Sequence, residues 1–289
     1  MRVAAVREGK LVVEERPDPV PGDGEVLVRV RAAGVNGADL QQAAGRYPPP
    51  PGVTDVPGLE CAGETADGRR VMALLPGGGH AELVTVDERH LLPVPDGWDW
   101  PAAGGFVEVF ATAHDALFTQ AELGAGERLL VNGAAGGVGV AAVQLGLAAG
   151  ARVTANARHH HDELRALGAS TEVEGEYDVI LELVGGENLA ANLERLASKG
   201  RIAVIGTGAG ASATVNFGLL MRRRGRIHGS TLRARTADEK AEVIRRLGEF
   251  VRGRALTVPV EATFPLERAQ EAYDRFAAGG KFGKLVIVP

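Results

Sequence analysis

The stretch ERLLVNGAAGGVGVAAVQLGLAAG, residues 127–150, decides the fold. It begins as an apolar run typical of a buried strand, passes through a glycine-rich turn and continues as an apolar helix. Against the dinucleotide-binding fingerprint GxGxxG, the matching positions are Ala134, Gly136 and Gly139. The middle glycine lets the backbone approach a pyrophosphate, and the last one allows close packing of helix on strand. Because Ala134 departs from the fingerprint, a tight turn in another kind of α/β protein is the alternative.

The segments that follow alternate between two periodicities. The apolar runs 151–157, 177–186 and 201–208 are typical of buried strands, and 161–169 and 188–200 are typical of amphipathic helices. Such alternation predicts a parallel sheet covered by helices on both faces. The run GRIHGSTL, residues 225–232, predicts a sixth strand, and 236–253 predicts a long helix. The position of the glycine turn at the head of this series favours nucleotide binding.

The remainder of the chain has a different character. Residues 1–108 contain period-two runs such as EVLVRVRAAGV, separated by turns rich in Pro and Gly. The tail reads strand, helix, strand and is expected to return to this first part. The prediction is therefore an α/β chain with two domains. A β-rich domain comprises 1–108 and 253–289, and a doubly wound parallel-sheet domain comprises 109–252.

Composition excludes several classes of site. The chain has 289 residues and a net charge of −5, which gives no support for a nucleic-acid surface. Its single cysteine, Cys61, excludes an internal disulfide and any multi-cysteine metal centre. We expect a cytoplasmic protein, because no apolar run is long enough to span a bilayer and the first residues do not resemble a signal peptide.

The second strand of the series ends in TANARHHHD, residues 154–162. In folds of this kind an Asp or Glu at that strand end holds the ribose hydroxyls of NAD. Here no acid precedes Arg158, whose guanidinium can pair with the 2′-phosphate of NADPH. His159 and His160 can donate hydrogen bonds to the same phosphate. The stretch is therefore interpreted as a selector for NADPH.

Two alternatives remain for the three histidines. One is a solvated loop in which His161 and Asp162 cap the following helix. The other is a metal site, which is disfavoured because consecutive side chains at a strand end diverge rather than converge on one point.

A family resemblance is most specific in four stretches, some of them already described: 32–63, 132–145, 200–210 and 226–235. With them the chain resembles, from end to end, the zinc-free quinone oxidoreductases (zeta-crystallin-like) of the medium-chain dehydrogenase/reductase superfamily. The resemblance implies a GroES-like catalytic domain, a Rossmann domain and an active site in the cleft between them. The segment 170–179 is shorter than is usual in this family, as is the loop that follows CAGET.

The resemblance also bears on metal and substrate. Zinc-dependent alcohol dehydrogenases of the superfamily use a cysteine and a histidine where this chain has Asn36 and Leu59. Without a Lewis acid to lower the pKa of an alcohol, acceptors that take hydride easily remain, namely quinones and activated alkenes. Tyr47 and Asn36 are the implied catalytic residues, with Tyr47 as a hydrogen-bond donor to the substrate. A packing role for Tyr47 and local turn chemistry for Asn36 and Asp39 are the alternatives.

The expected cofactor contacts fall into two sets. From the turn and the following strand they are Ala135, Gly136, Gly137, Val138, Gly139, Asn156, Arg158, His159 and His160. From the resemblance they are Asn36, Asp39, Thr112, Gly206, Thr207, Thr231, Leu232, Phe282 and Lys284, the last two closing over the cofactor. No role is assigned to His80, His90 or His114.

These observations predict hydride transfer from NADPH to a quinone or enone. One alternative is a reductase of enoyl thioesters or other α,β-unsaturated carbonyls. Another is a non-catalytic NADPH-binding protein with a structural or RNA-binding role, against which the acidic balance argues. By resemblance we also expect a homodimer that pairs the strands around 226–232 of two copies.

Overall fold

The computed structural model describes all residues, Met1–Pro289. Its strands are β1 (Arg2–Arg7), β2 (Lys10–Glu15), β3 (Glu25–Gly34), β4 (Glu60–Thr65), β5 (Arg70–Leu74), β6 (Leu83–Asp87), β7 (Leu91–Pro93), β8 (Arg128–Asn132), β9 (Arg152–Asn156), β10 (Tyr177–Glu182), β11 (Leu196–Val204), β12 (Arg226–Gly229), β13 (Val260–Pro265) and β14 (Lys284–Val288). Its α-helices are α1 (Gly37–Ala43), α2 (Trp100–Gly104), α3 (Val107–His114), α4 (Gly137–Ala148), α5 (His161–Ala166), α6 (Asn188–Glu194), α7 (Phe217–Arg223), α8 (Ala237–Val251) and α9 (Ala269–Ala277). No helix is long and apolar enough to cross a membrane.

The chain divides into two compact units. The first comprises Met1–Ala111 and Leu232–Pro289, and the second comprises Thr112–Thr231. The expected return of the tail to the first part is explained by β14, which pairs antiparallel with β3. The second expected boundary, at residue 252, differs from the observed one because α8 belongs to the first unit.

The reason for that difference is the face that α8 buries. Its apolar residues Val243, Ile244 and Leu247 are buried. Its N-terminus is tied to the segment before β7, where Nε2 of His90 lies 2.8 Å from the carbonyl oxygen of Ala237. Amphipathic periodicity predicts such a helix but does not identify the surface against which it packs.

The second unit is built on a parallel sheet of five strands in the order β12-β11-β10-β8-β9. The stretch 225–232, predicted to form the sixth strand of this domain, forms its fifth strand in chain order, β12. The third strand of the common Rossmann order 3-2-1-4-5-6 is reduced to one isolated bridge between Thr154 and Ser170, at the segment that is shorter than usual. The predicted helix over 188–200 also ends earlier, because β11 already begins at Leu196, which pairs with Tyr177.

The first unit holds a seven-stranded sheet with the path β13-β14-β3-β4-β5-β7, and β6 pairs with β3. A separate two-stranded sheet is formed by β1 and β2. Val28, Val30 and Ala33 of β3 lie in one apolar core with residues of β4, β5 and β6. The predicted fold class, a β-rich GroES-like domain with a doubly wound Rossmann sheet, is confirmed.

Candidate active site

The glycine turn occupies the carboxyl end of β8 in the second unit. Gly133 has φ of +81°, so the left-handed position falls one residue before the first fingerprint position. Ala134 is fully buried and does not need that conformation, which explains why alanine is tolerated there. The amides of Gly133 and Ala134 donate to the carbonyl oxygen of Asn156 at 3.0 and 3.1 Å. These bonds hold the turn against the end of β9.

The two fingerprint glycines have distinct roles. A Cβ on Gly139 would lie 2.4 Å from the oxygen of Gly133, so only glycine allows α4 to pack this closely on the turn. A Cβ on Gly136 would meet only that same oxygen, at 3.5 Å, so space remains beside this residue. Gly136 is also the N-cap of α4 and provides no side-chain cap. The first amides of the helix are therefore available to an anion, which is the arrangement that holds a pyrophosphate.

A buried polar network joins the strand ends beneath this turn. Glu182, at the end of β10, is fully buried. Its carboxylate accepts from the side chains of Asn132 and Asn192, both at 2.8 Å, and from the amides of Val184 and Gly185. The sequence analysis did not predict this network, although polar residues at the ends of apolar strands are the pattern that indicates one.

Asn156, an expected cofactor contact, is part of the same network, since its Nδ2 donates to Oδ1 of Asn132 at 2.8 Å. The network spans β8 and β10, between which the strand order reverses. Ligands of open α/β sheets bind at this switch point, outside the carboxyl ends of the strands. The network therefore holds together the strand ends on which the expected dinucleotide site is built.

The ARHHH stretch follows β9 directly. Arg158 and His159 are exposed, and the guanidinium of Arg158 forms no hydrogen bond or ion pair within the protein. His160 adopts φ of +68° as the N-cap of α5, so the helix begins one residue earlier than in the solvated-loop alternative. Its Nδ1 lies 2.8 Å from Oε1 of Glu163, and this hydrogen bond lowers the pKa of the Glu163 carboxyl. Arg158 is thus the free cation here, while His160 is engaged locally.

Three of the other expected contacts of the second unit, Gly206, Thr207 and Thr231, follow the ends of the neighbouring strands β11 and β12. Gly206 follows β11, and its amide donates to the carbonyl oxygen of Glu182 at 3.1 Å. A Cβ on Gly206 would lie 2.0 Å from the oxygen of Leu183, so glycine is required where these two segments meet. Thr207 is exposed next to it. Thr112 lies in α3, and Thr231 follows β12.

In the first unit Asn36 belongs to a buried charged cluster with Glu60 and Lys284. The ammonium of Lys284 donates to Oε1 of Glu60 at 2.6 Å, to Oδ1 of Asn36 at 2.7 Å and to the carbonyl oxygen of Val35 at 3.1 Å. Nδ2 of Asn36 donates in turn to Oε1 of Glu60 at 3.0 Å. All three ammonium hydrogens are therefore used within this cluster. That placement differs from the expected role of Lys284 in closing over a cofactor.

The ion pair of Glu60 and Lys284 is shielded from solvent and held by further hydrogen bonds. Glu60 is fully buried and Lys284 is 2% exposed, so neither charge is solvated by bulk water. A buried pair persists only when further hydrogen bonds satisfy both partners, as they do here. The cluster fixes the amide plane of Asn36 rather than leaving it free to rotate.

Asp39 and His80 form a second buried pair of titratable groups. The carboxylate of Asp39 accepts from the amides of Asn36 and Gly58 at 2.8 and 3.0 Å, so it caps α1. These bonds are of the local kind expected from the turn alternative, and the cofactor contact of Asp39 stays a prediction. Burial raises the pKa of Asp39 and lowers that of His80. The hydroxyl of Tyr273 lies 3.3 Å from Nδ1 of His80, which gives this histidine a structural partner.

Tyr47 lies in the loop after α1, half-buried, with the guanidinium of Arg233 5.1 Å from its ring centroid. Leu232, an expected cofactor contact, is the first residue of the returning segment and is 5% exposed. Phe282 is half-buried, and its amide donates to Oε2 of Glu261 at 3.0 Å. His114 stacks edge-on against Phe118 at 5.0 Å.

A zinc ion does not fit the residues at the family's ligand positions. Leu59 is 2% exposed and has no donor atom, and both polar atoms of Asn36 are already bonded. The ammonium of Lys284, 2.7 Å from Asn36, would repel a second cation there. Nowhere does the structure bring three His, Cys, Asp or Glu side chains together as metal ligands.

A Rossmann sheet with an anion-binding glycine turn, together with a GroES-like unit, defines a dinucleotide-dependent oxidoreductase. Comparison with known proteins agrees. Residues 22–96 match the alcohol dehydrogenase GroES-like domain, and residues 149–287 match the zinc-binding dehydrogenase family. The chain belongs to the medium-chain dehydrogenase/reductase superfamily, as a quinone oxidoreductase-like member.

Three relatives illustrate this membership. The quinone oxidoreductase of Thermus thermophilus, solved also in complex with NADPH, is 32% identical with a TM-score of 0.87, over 100% of this chain and 99% of that one. Human quinone oxidoreductase is 28% identical over 100% of this chain and 98% of its own length. Erythronolide synthase EryA2 of Saccharopolyspora erythraea is 36% identical over 91% of this chain, which spans only 8% of that synthase.

Proposed function

We propose that the protein transfers hydride from NADPH to quinones and does so without zinc. The observation that carries the proposal is the glycine turn with the unpaired Arg158 beside it, in a chain similar to quinone oxidoreductases over its whole length. The bound nicotinamide would supply the hydride. The protein would supply binding, orientation and a hydrogen-bond donor to the oxygen that gains charge.

NADPH is proposed over NADH because of the charges at the end of β9. A guanidinium without a protein partner is available for bidentate pairing with a 2′-phosphate. An acidic side chain, which would bind ribose hydroxyls and repel that phosphate, is absent from this strand end. Because His160 is bonded to Glu163, we assign the main role to Arg158 and a lesser one to His159.

On the substrate side, Tyr47 and Asn36 are the proposed catalytic residues. The hydroxyl of Tyr47 would donate to the acceptor oxygen, and the fixed amide of Asn36 would orient the reacting groups. Zinc independence rests on the donor set, since an apolar leucine and an amide bonded to an ammonium are poor zinc ligands. We expect chelators to leave turnover intact, and a zinc ion that is bound tightly and required for activity would contradict this.

A second candidate is the reduction of enoyl thioesters. The enoyl reductase CurK shares this fold with a TM-score of 0.84 at 24% identity, and erythronolide synthase EryA2 is more similar in sequence, at 36%, than human quinone oxidoreductase, at 28%. Both candidates begin with hydride transfer, and they differ in the atom that receives it. The acceptor therefore has to be decided by experiment.

The experiment is an anaerobic NADPH-oxidation screen over ortho-quinones, para-quinones, enones and enoyl thioesters. The proposal expects the largest kcat/KM for a quinone. Turnover confined to thioesters would establish the second candidate. Tight NADPH binding without turnover on any acceptor would indicate the non-catalytic alternative.

We also propose a homodimer. β12 is an edge strand of the five-stranded sheet, and an unpaired edge is a ready surface for a second copy. Phe217 and Met221 on α7, which precedes this strand, are 71% and 76% exposed. One turn apart, they present apolar surface that a partner would cover.

A further inference from the structure

Arg233 is a buried guanidinium whose hydrogen-bond partners are all uncharged. It is 5% exposed. Its Nε donates to the carbonyl oxygen of Pro76 at 2.9 Å, Nη1 to the carbonyl oxygen of Tyr47 at 3.2 Å and Nη2 to Oε1 of Gln42 at 2.6 Å. Arginine stays protonated in proteins, so a full positive charge lies inside the first unit, and only dipoles form hydrogen bonds with it.

No carboxylate forms a hydrogen bond with this charge. Burial lowers the pKa of Arg233, and the side chains of Tyr47, Asp39 and Glu108 oppose that shift electrostatically. An unpaired buried charge is costly. A carboxylate at position 42 would form an ion pair with this charge and nearly keep the side-chain shape, yet Gln42 stands there.

The charge acts on Tyr47 in two ways. The bond to the carbonyl oxygen of Tyr47 fixes the backbone of its loop. The guanidinium also lies over the phenol ring, 5.1 Å from the centroid, within the range of a cation–π interaction. A cation over the ring draws electron density from the hydroxyl, which makes that O–H a stronger hydrogen-bond donor.

We propose that Arg233 is the positioning residue of the substrate site: it holds Tyr47 in place and, as a positive charge with no hydrogen-bonded carboxylate, strengthens its hydroxyl as a donor. The inference rests on the proposed function, in which Tyr47 donates to the acceptor. It also names the feature that acceptors must share, because such a donor favours carbonyl acceptors whose oxygen becomes anionic on taking hydride.

The test is Gln42→Glu, which supplies the missing carboxylate. A structural role predicts unchanged or higher thermal stability of the cofactor-free protein and unchanged kinetics. The proposal predicts the same stability but a kcat/KM for quinones lower by roughly tenfold, the size of one cation–π interaction, with the Kd for NADPH unchanged. The loss should largely disappear in a Tyr47→Phe background, because the charge acts through that hydroxyl.

The matched control is Gln41→Glu, one residue earlier on α1. Gln41 accepts from Nε of Arg46 at 2.7 Å in an exposed pair, so the same change of charge is made beside a solvated arginine. This variant should retain wild-type kinetics. An equal loss in both variants, or no loss in Gln42→Glu, would overturn the proposal.

If Gln42→Glu does not fold, a second pair of variants tests the proposal. Arg233→Lys keeps the positive charge but loses the planar set of guanidinium donors. Retention of most of the quinone kcat/KM by Arg233→Lys, against its loss in Arg233→Met, supports the proposal, and equal loss in both refutes it. Wild-type protein that reduces no quinone or enone would overturn the proposed function as well. If the wild type reduces quinones and Gln42→Glu is equally active, only the inference about Arg233 is refuted.

Discussion

Two alanine substitutions in the glycine turn should separate its folding role from its binding role. In Gly139→Ala the new Cβ would lie 2.4 Å from the oxygen of Gly133 and 2.6 Å from backbone atoms of Ala134. Backbone cannot move aside as a side-chain end can, so we expect a loss of about 3 kcal/mol in the free energy of unfolding. That loss corresponds to a fall in Tm of roughly 5–10 °C.

Gly136→Ala is the counterpart. Gly136 has φ of −76° and ψ of 168°, which alanine adopts without strain, and its Cβ would have one contact at 3.5 Å. The fold should therefore be retained. The methyl group would instead occupy the space through which the pyrophosphate approaches the first amides of α4. Each charge-assisted bond lost there is worth about 1.5–3 kcal/mol, so Kd for NADPH should rise at least about tenfold.

The assay combines thermal unfolding of the cofactor-free proteins with calorimetric titration of NADPH. Stability has to be measured without cofactor, because bound ligand would itself raise Tm. Wild-type affinity in Gly136→Ala, or wild-type stability in Gly139→Ala, would refute the reasoning for the respective glycine.

Four further predictions follow from other parts of the structure. Arg158→Ala should raise Kd for NADPH at least about tenfold while barely changing Kd for NADH. If calorimetry shows that the wild type binds NADPH and NADH equally well and that the substitution changes neither affinity, Arg158 is not the selector. Tyr47→Phe should lower kcat/KM for quinones by about 2 kcal/mol in activation free energy with unchanged NADPH affinity, and unchanged steady-state kinetics would leave Tyr47 a packing role. Light scattering should show a dimer that Phe217→Glu converts to monomer, whereas a monomeric wild type would contradict the pairing of edge strands. The hydrogen bond from Arg201 lowers the pKa of the Glu127 carboxyl. The stabilisation that this ion pair gives the fold is therefore complete above the unfolded-state pKa of Glu127 and is lost as pH falls through its folded-state pKa. Glu127→Gln should remove about 1 kcal/mol near neutral pH and flatten that acid dependence in urea titrations, and an unchanged pH profile would exclude the pair as its source.

The elements of the second unit could be read from sequence because each one carries its own periodicity. The strand–turn–helix at 127–150 and the apolar strands after it are local patterns, and they formed where expected. The third Rossmann strand was not foreseeable in the same way. Its reduction to the bridge between Thr154 and Ser170 depends on how much chain the shortened segment leaves for pairing.

Placement of buried charges was the part that sequence could not supply. Lys284 stands in a motif near the C-terminus, and Glu60 lies far from it along the chain; only the pairing of β14 with β3 and of β3 with β4 brings the two together. Arg233 likewise acquires its meaning from contacts with Gln42 and Tyr47. By contrast, Arg158 could be singled out from sequence, because its argument needs only the end of one strand and the absence of an acid there.

The central claim, hydride transfer from NADPH to a quinone in this site, is tested most directly by a single-turnover measurement. Protein saturated with NADPH is mixed anaerobically with a para-quinone in the presence of a chelator, and loss of the reduced nicotinamide is followed together with quinol formation. The account predicts that the two proceed in step and that NADPH deuterated at the transferred position reacts more slowly. Persistence of bound NADPH with every quinone, or turnover that stops when the chelator is present, would contradict it.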